Sequence, residues 1–317
     1  MDELQQALAE MGWSLIEQER VVGGFTGTLY RLRLRDQVGA EVRAVYKRFA
    51  EGRDAERTFY QQVVPLLSHG VPRLYRIVAE KGLLIEDAGT SVKSIFRSGD
   101  AASQKEILAG IVALFAELHA SLEQVSDAWR QDGLVSPYPF HSSIDFAKAA
   151  LVELGEQLGK LDGVDRALLA ELREIASFFY PRYQRYVEGR QTFTHGDPHM
   201  ENILHDGRQF RLIDWEYSSL AVPVRDVTIL LQDVLDQSLH PFVLDLYRSE
   251  MEIRGWVFEA DFDDAYTACM LDNTLMMLGF ELWKYRQGHL KKAEIETILA
   301  IKCGWIRQCA RKLKREC

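Results

Sequence analysis

The spacing of apolar residues changes once along the chain, and that change constrains the fold more than any other feature. Up to residue 86 the pattern is dominated by short alternating runs of period two, the spacing of half-buried strands. Ser14–Arg20, Leu29–Arg35 and Glu41–Phe49 read as strands, the last two joined by a turn around Gln37–Ala40. Asp54 is placed to cap a helix running to about Leu67, Pro72 breaks the chain, and short strands follow at Leu74–Ala79 and Leu83–Ile85. After Glu86-Asp87-Ala88-Gly89 the period becomes helical. Ile107, Ile111, Leu114, Phe115, Leu118 and Leu122 recur on one face, with further helical stretches at Ser143–Leu161, Asp165–Tyr186 and Pro223–Lys314. The expectation is an α+β chain: a small antiparallel β-sheet lobe with one main helix over residues 1–86, then a larger, mainly helical lobe over 87–317.

One non-helical island interrupts the helical part. Strand-like pieces at Gln191–Phe193 and Phe210–Ile213 flank His195-Gly196-Asp197-Pro198-His199-Met200-Glu201-Asn202, and Ile213-Asp214-Trp215-Glu216 follows. Asp197, Asn202 and Asp214 are hard oxygen donors of the kind Mg²⁺ prefers. Phosphoryl transfer needs such a set: one carboxylate to accept the proton of an attacking hydroxyl, and an amide with a second carboxylate to hold Mg²⁺ on the phosphates. His195 and His199 stand four residues apart, as in zinc helices, but Gly196 and Pro198 argue against a helix there.

The order H-G-D-x-x-x-x-N, then a later Asp, resembles the catalytic loop and metal-binding Asp of protein kinases. The fuller form, H-G-D-x-H-x-x-N with I-D-W-E, resembles the aminoglycoside phosphotransferase and choline kinase superfamily, over most of the chain from about Gly23. The resemblance implies a bilobal protein-kinase-like fold, with ATP and Mg²⁺ as cofactors. It assigns Asp197 as catalytic base and Asn202 and Asp214 as metal ligands. Ala44-Val45-Tyr46-Lys47 parallels the V-A-I-K strand, so Lys47 would reach the α- and β-phosphates and Glu56 would pair with it. Gly23, Gly24 and Gly27 would form the turn over the phosphates, with the amides of Thr26 and Gly27 facing them. Leu84-Ile85-Glu86-Asp87-Ala88 resembles the hinge whose backbone binds adenine, and Val45, Leu204 and Ile213 sit where the family packs apolar groups on the ring. His195, His199 and Asp226 take structural roles around the loop, and Glu216 stays open between a solvated carboxylate, a support for the metal residues and a substrate wall.

Composition narrows the partners. Lys and Arg total 38 against 47 Asp and Glu, a net charge of −9, which disfavours nucleic acid and anionic membrane. No stretch reaches the roughly 20 apolar residues of a membrane span, and the acidic start MDELQQALAEMGW lacks the form of a signal peptide. The four cysteines, Cys269, Cys303, Cys309 and Cys317, form no C-x-x-C pair and read as reduced thiols. These features lead to the expectation of a cytoplasmic protein; its oligomeric state stays open.

The sequence argues against a peptide substrate. About 70 residues separate Leu122 from His195, room for extra helices, while Asp214 to Pro223 leaves little room for an activation loop and no A-P-E sequence follows. The reading is an ATP-dependent kinase of a small-molecule hydroxyl, on an antibiotic or an amino-containing metabolite. Asp233, Asp236, Asp261, Asp263, Asp264, Asp272 and Glu281 offer a cationic-substrate wall or a solvated face. Trp256, Trp283, Tyr285 and Trp305 offer an aromatic cage or core. The alternative function is a non-catalytic nucleotide-binding or spore-coat-like scaffold of the same fold.

Overall fold

A computed structural model describes residues 2–21, 27–131, 135–258 and 262–315. The chain divides into two compact units, Met1–Gly110 with Met200–Tyr217, and Ile111–His199 with Ser218–Cys317.

The first unit opens with an amphipathic helix, α1 (Asp2–Glu10), followed by β1 (Ser14–Val21), β2 (Gly27–Arg35) and β3 (Glu41–Phe49). Then come α2 (Ala55–Gln62), β4 (Leu74–Val78), β5 (Gly82–Glu86), the two-residue β6 (Thr90–Ser91) and α3 (Val92–Ser98). Five strands form an antiparallel sheet of order β1-β2-β3-β5-β4. Leu32, Leu34, Ala44, Tyr46 and Leu84 pack on Leu4, Ala7 and Leu8 of α1. Side chains alternate along a strand, so that burial fixes the other face: Arg43, Val45 and Lys47 of β3 point away from α1. Burying a leucine such as Leu34 contributes about 1.5–3 kcal/mol, so a one-residue slip of register would forfeit several such terms.

The predicted helix from Asp54 to Leu67 is shorter than expected. It ends at Gln62, and a 3-10 turn takes Val64–Leu66, because Pro65 has no N–H to continue the helix. Asp54 makes no side-chain cap; its carboxylate pairs with Arg57 at 2.7 Å.

The chain continues through α4 (Ala101–Gln131), which runs nine residues past the expected end at Leu122, and α5 (Phe140–Glu156). α6 (Arg166–Phe179), α7 (Tyr183–Val187) and β7 (Thr192–Thr194) follow. It returns to the first unit for β8 (Ile203–His205) and β9 (Phe210–Leu212), which form a small sheet in the order β6-β8-β9. The rest belongs to the second unit: β10 (Ser219–Ala221), which pairs with β7, then α8 (Val224–Leu231), α9 (His240–Ile253), α10 (Phe262–Arg286) and α11 (Lys292–Arg315). α10 packs against α5, α7, α8 and α11. Its run from Thr267 to Leu275 is buried throughout, which is the burial pattern of a central helix rather than a surface one. Among the described residues no helix is long and apolar enough to cross a membrane.

Candidate active site

In the first unit three predicted residues meet. Lys47 Nζ lies 2.5 Å from Glu56 Oε2 and 2.7 Å from Asp214 Oδ1. Lys47 is 7 % exposed and Glu56 2 %. Burial works against the Lys47 ammonium, but the Glu56 and Asp214 carboxylates outweigh it and hold its pKa above the usual lysine value. The amide of Asp214 donates to Glu56 Oε1 at 3.1 Å, so Glu56 fixes both the lysine and the backbone of the later Asp. Asp214 is one of three described non-glycine residues with positive φ, at 66°. Such a backbone costs energy and persists where the surroundings over-determine it, as Glu56 and Lys47 do here.

Asn202 is buried, and its carbonyl accepts the Ile213 amide at 3.0 Å, which ties the two predicted metal residues to one β8–β9 frame. Trp215 stacks on Phe59 of α2 with ring centroids 4.0 Å apart, locking the segment after Asp214. Glu216 is engaged by Arg53 Nε, and Arg53 Nη2 donates to Tyr217. Nothing in the spacing of Arg53 along the sequence points to a partner 163 residues away.

These donors fit Mg²⁺. Lys47 engages Asp214 Oδ1, and no described protein group bonds Oδ2. A hard carboxylate oxygen of this kind matches an ion that keeps several waters and takes its other ligands from phosphates. Among the described residues no cluster of three or more His, Cys, Asp or Glu side chains has metal-binding geometry.

The predicted hinge lies in the same unit. Glu86 N–H donates to Arg73 O and Asp87 N–H to Arg43 O, while the amide of the buried Ala88 has no acceptor among the described residues. The Glu86 side chain takes Arg211 at 3.2 Å. Gly89 has φ 98°, and a Cβ there would fall 2.3 Å from His205 O, so only glycine lets the chain pass. Val45, Leu204 and Ile213 are each half-buried. Gly27 opens β2, where a Cβ would lie 2.1 Å from Arg48 O; strand packing demands that glycine. Gly23, Gly24 and Thr26 lie outside the described residues.

The second unit carries Asp197, which is half-buried. Its amide donates to His195 Nδ1 at 3.2 Å, and its carbonyl accepts the His199 amide at 2.9 Å. His199 Nε2 lies 3.7 Å from Asp197 Oδ2. Asp226 Oδ2 accepts the His195 amide at 2.7 Å and Oδ1 the Gly196 amide at 3.0 Å. Burial opposes the Asp226 charge, yet His119, His195 and the His195 amide keep its pKa below the usual aspartate value.

Several of the acidic and aromatic residues of the late helices have separate local partners. Asp236 caps a 3-10 turn, Asp263 pairs with Arg248, and Glu281 pairs with Lys302 and Lys284. Asp272 is 0 % exposed and accepts from Tyr138 and Ser143. Asp261 lies outside the described residues. Trp305 is buried against His240, Trp256 lies under Arg190, and Trp283 stacks on Phe280.

A sheet unit with an ion-paired lysine beside an acidic residue of left-handed backbone, followed by a helical unit, defines the kinase-like α+β class. Three solved structures share the fold. Choline kinase LicA from Streptococcus pneumoniae matches at TM-score 0.61 and 14 % identity, over 97 % of this chain and 98 % of that one. Macrolide 2'-phosphotransferase MphH from Brachybacterium faecium matches at 0.59 and 15 %, over 95 % and 98 %. The streptomycin–ATP–APH(2")-IIa ternary complex matches at 0.57 and 13 %, over 96 % of both chains. A search of curated protein sequences finds no match. The model of the phosphotransferase enzyme family matches residues 17–258, and the chain belongs to that family.

Proposed function

We propose that the protein is a cytoplasmic ATP-dependent kinase that transfers the γ-phosphate to a hydroxyl of a small molecule, an antibiotic or an amino-containing metabolite. The observation that carries this reading is Lys47, held protonated between Glu56 and Asp214 in a chain of the phosphotransferase family. In this reading residues 1–86 bind nucleotide, and residues 87–317 supply the catalytic loop, the metal residues and the acceptor pocket. The open Ala88 amide and the hinge backbone at Glu86 receive the purine, with Val45, Leu204 and Ile213 against its ring. The amides around Gly24, Thr26 and Gly27 cover the phosphates, and Lys47 orients them. Asn202 and Asp214 hold Mg²⁺, which when bound supplies charge neutralisation on the transferring phosphoryl group. Asp197 orients the acceptor hydroxyl and takes its proton. Catalysis rests on positioning and electrostatics, with no covalent enzyme intermediate.

The test is Mg²⁺·ATP consumption by wild type and Asp197→Ala against aminoglycosides, macrolides, choline, ethanolamine, homoserine and sugars. Turnover with one compound, lost in the variant, is the expected result. Nucleotide binding without turnover on any of them would favour a non-catalytic scaffold.

A further inference from the structure

The sheet face that carries Val45 and Lys47 also carries an arginine on the neighbouring strand. The register of β2 against β3 sets Leu29 opposite Lys47 and Arg31 opposite Val45. Directly opposed residues share a face, with Cβ atoms about 4.5–5.5 Å apart. Leu32 and Leu34 take the other face of β2 and are buried against α1. A charged side chain therefore stands beside Val45, where an apolar one would extend the same surface.

Arg31 is not left to solvent. Its Nε lies 3.2 Å from Asp87 Oδ2; the arginine side chain is 50 % exposed and the aspartate 11 %. Asp87 is fixed in turn by the hinge. Its amide donates to Arg43 O at 3.3 Å, and its Oδ1 accepts the Gly89 amide at 3.3 Å. One nitrogen of the guanidinium is thus pinned to the residue before Ala88, whose amide is open. Nη1 and Nη2 of Arg31 have no acceptor among the described residues. A pocket of about 400 Å³ opens beside them, lined in part by Arg31, Arg43, Asp87, Gly89 and Thr90. A half-exposed ion pair adds little to stability, so fold stability does not account for this arrangement. Its effect is to hold a planar cation at the hinge.

We infer that Arg31 is a base-recognition residue: its guanidinium, held by Asp87, lies against the ring of the purine that the hinge binds by its edge. This rests on the nucleotide reading of the first unit. A guanidinium plane stacks on a nucleobase, which a lysine ammonium cannot do. Lys47 stands two residues further along β3, about 7 Å away. The two cations therefore serve opposite ends of the nucleotide, Lys47 the phosphates and Arg31 the base.

The experiment uses the full chain and the variants Arg31→Ala, Arg31→Lys and Asp87→Asn. ATP and adenosine are titrated as competitors of a ribose-labelled fluorescent ATP analogue, and urea midpoints are read alongside. A cation on a ring face corresponds to about 3- to 30-fold in affinity. Arg31→Ala should weaken ATP and adenosine by the same factor within that range, because the contact is to the base. Arg31→Lys keeps the charge without the plane and should recover only a minor part of the loss. Asp87→Asn, which frees the guanidinium, should lose less than Arg31→Ala. The urea midpoints of the Arg31 variants should stay at the wild-type value. Wild-type affinity in Arg31→Ala would overturn the inference and leave the nucleotide reading intact. So would a loss confined to ATP, which would put Arg31 on the phosphates, or full recovery by lysine. A wild type that binds neither ATP nor adenosine would overturn the nucleotide reading, and this inference with it.

Discussion

Glu56 offers the sharpest quantitative test, because it does two separable jobs. It is a counter-ion to Lys47, and its Oε1 accepts the Asp214 amide. Glu56→Gln removes the charge but keeps an acceptor and nearly the same volume. Glu56→Ala removes both. Stripping one partner from a buried ion pair typically costs about 3–5 kcal/mol. Here Lys47 retains Asp214 at 2.7 Å, so the Gln variant should lose less, about 1–2 kcal/mol. Leaving the Asp214 amide without an acceptor adds about 1–3 kcal/mol, so Ala should lie that much below Gln. The assay is urea unfolding of both variants, with titration of a fluorescent ATP analogue alongside. Both variants should also bind the analogue more weakly, since Lys47 is left with one anchor. Equal stability of Gln and Ala would refute the amide's role, and a Gln variant as stable as wild type would refute the ion pair's.

Three further outcomes are expected. Asp226 has a depressed folded pKa, so its contribution is complete above its unfolded value of about 3.9 and is lost as pH falls through the folded value. The stability difference between wild type and Asp226→Asn should therefore be flat from pH 5 to 8 and shrink below about pH 4; a difference constant down to pH 2 would contradict it. Burial pushes the Cys269 and Cys309 thiols up to about 12 and Cys303 to about 11, so all three should resist a thiol reagent at pH 8 until urea unfolds the chain. Rapid labelling of any of them in the native protein, read by peptide mass spectrometry, would show otherwise. Gly89→Ala should destabilise the first unit by more than about 1 kcal/mol, because the left-handed φ is strained for alanine and the methyl meets His205 O; an unchanged urea midpoint would refute that.

The candidate site residues are legible in the sequence. The H-G-D-x-x-x-x-N spacing singled out Asp197 and Asn202, I-D-W-E singled out Asp214, and the strand carrying Lys47 pointed to Glu56 on the next helix. Those residues are local in sequence or tied to a strand–turn–helix order, which is why spacing reveals them. The groups that hold them are not. Arg53 meets Glu216, Ser126 meets Phe193, and Tyr247 meets His119 across 128 residues. A serine or tyrosine on a helix face carries no periodic signal for a distant partner. The acidic residues of the late helices, open in the sequence between a substrate wall and a solvated face, are not separated by composition. Composition groups Asp236, Asp263, Asp272 and Glu281 together, whereas each is satisfied by a different neighbour.

One buried cluster shows the same limit. Arg225 is 3 % exposed, with its guanidinium 3.8 Å from the Tyr138 ring centre. Its sequence neighbourhood, Pro223 to Val227, marks no partner for it. Helix periodicity places Arg225 on α8 but says nothing of the tyrosines that surround it.

By itself, then, the sequence determined the α+β class and the place where strand pattern gives way to helix, and it singled out Lys47, Glu56, Asp197, Asn202 and Asp214 as candidate site residues. Each depends on short-range periodicity or on fixed spacing within a few residues. Only the tertiary structure decided that Glu56 fastens the Asp214 backbone as well as Lys47, that Asp214 is held left-handed, and that Ser126 of α4 meets Phe193 and Tyr247 of α9 meets His119. Those facts depend on which groups remain polar and unpaired once distant segments are buried together. Hydrogen-bond satisfaction in a packed interior settles that question, and no local pattern records it.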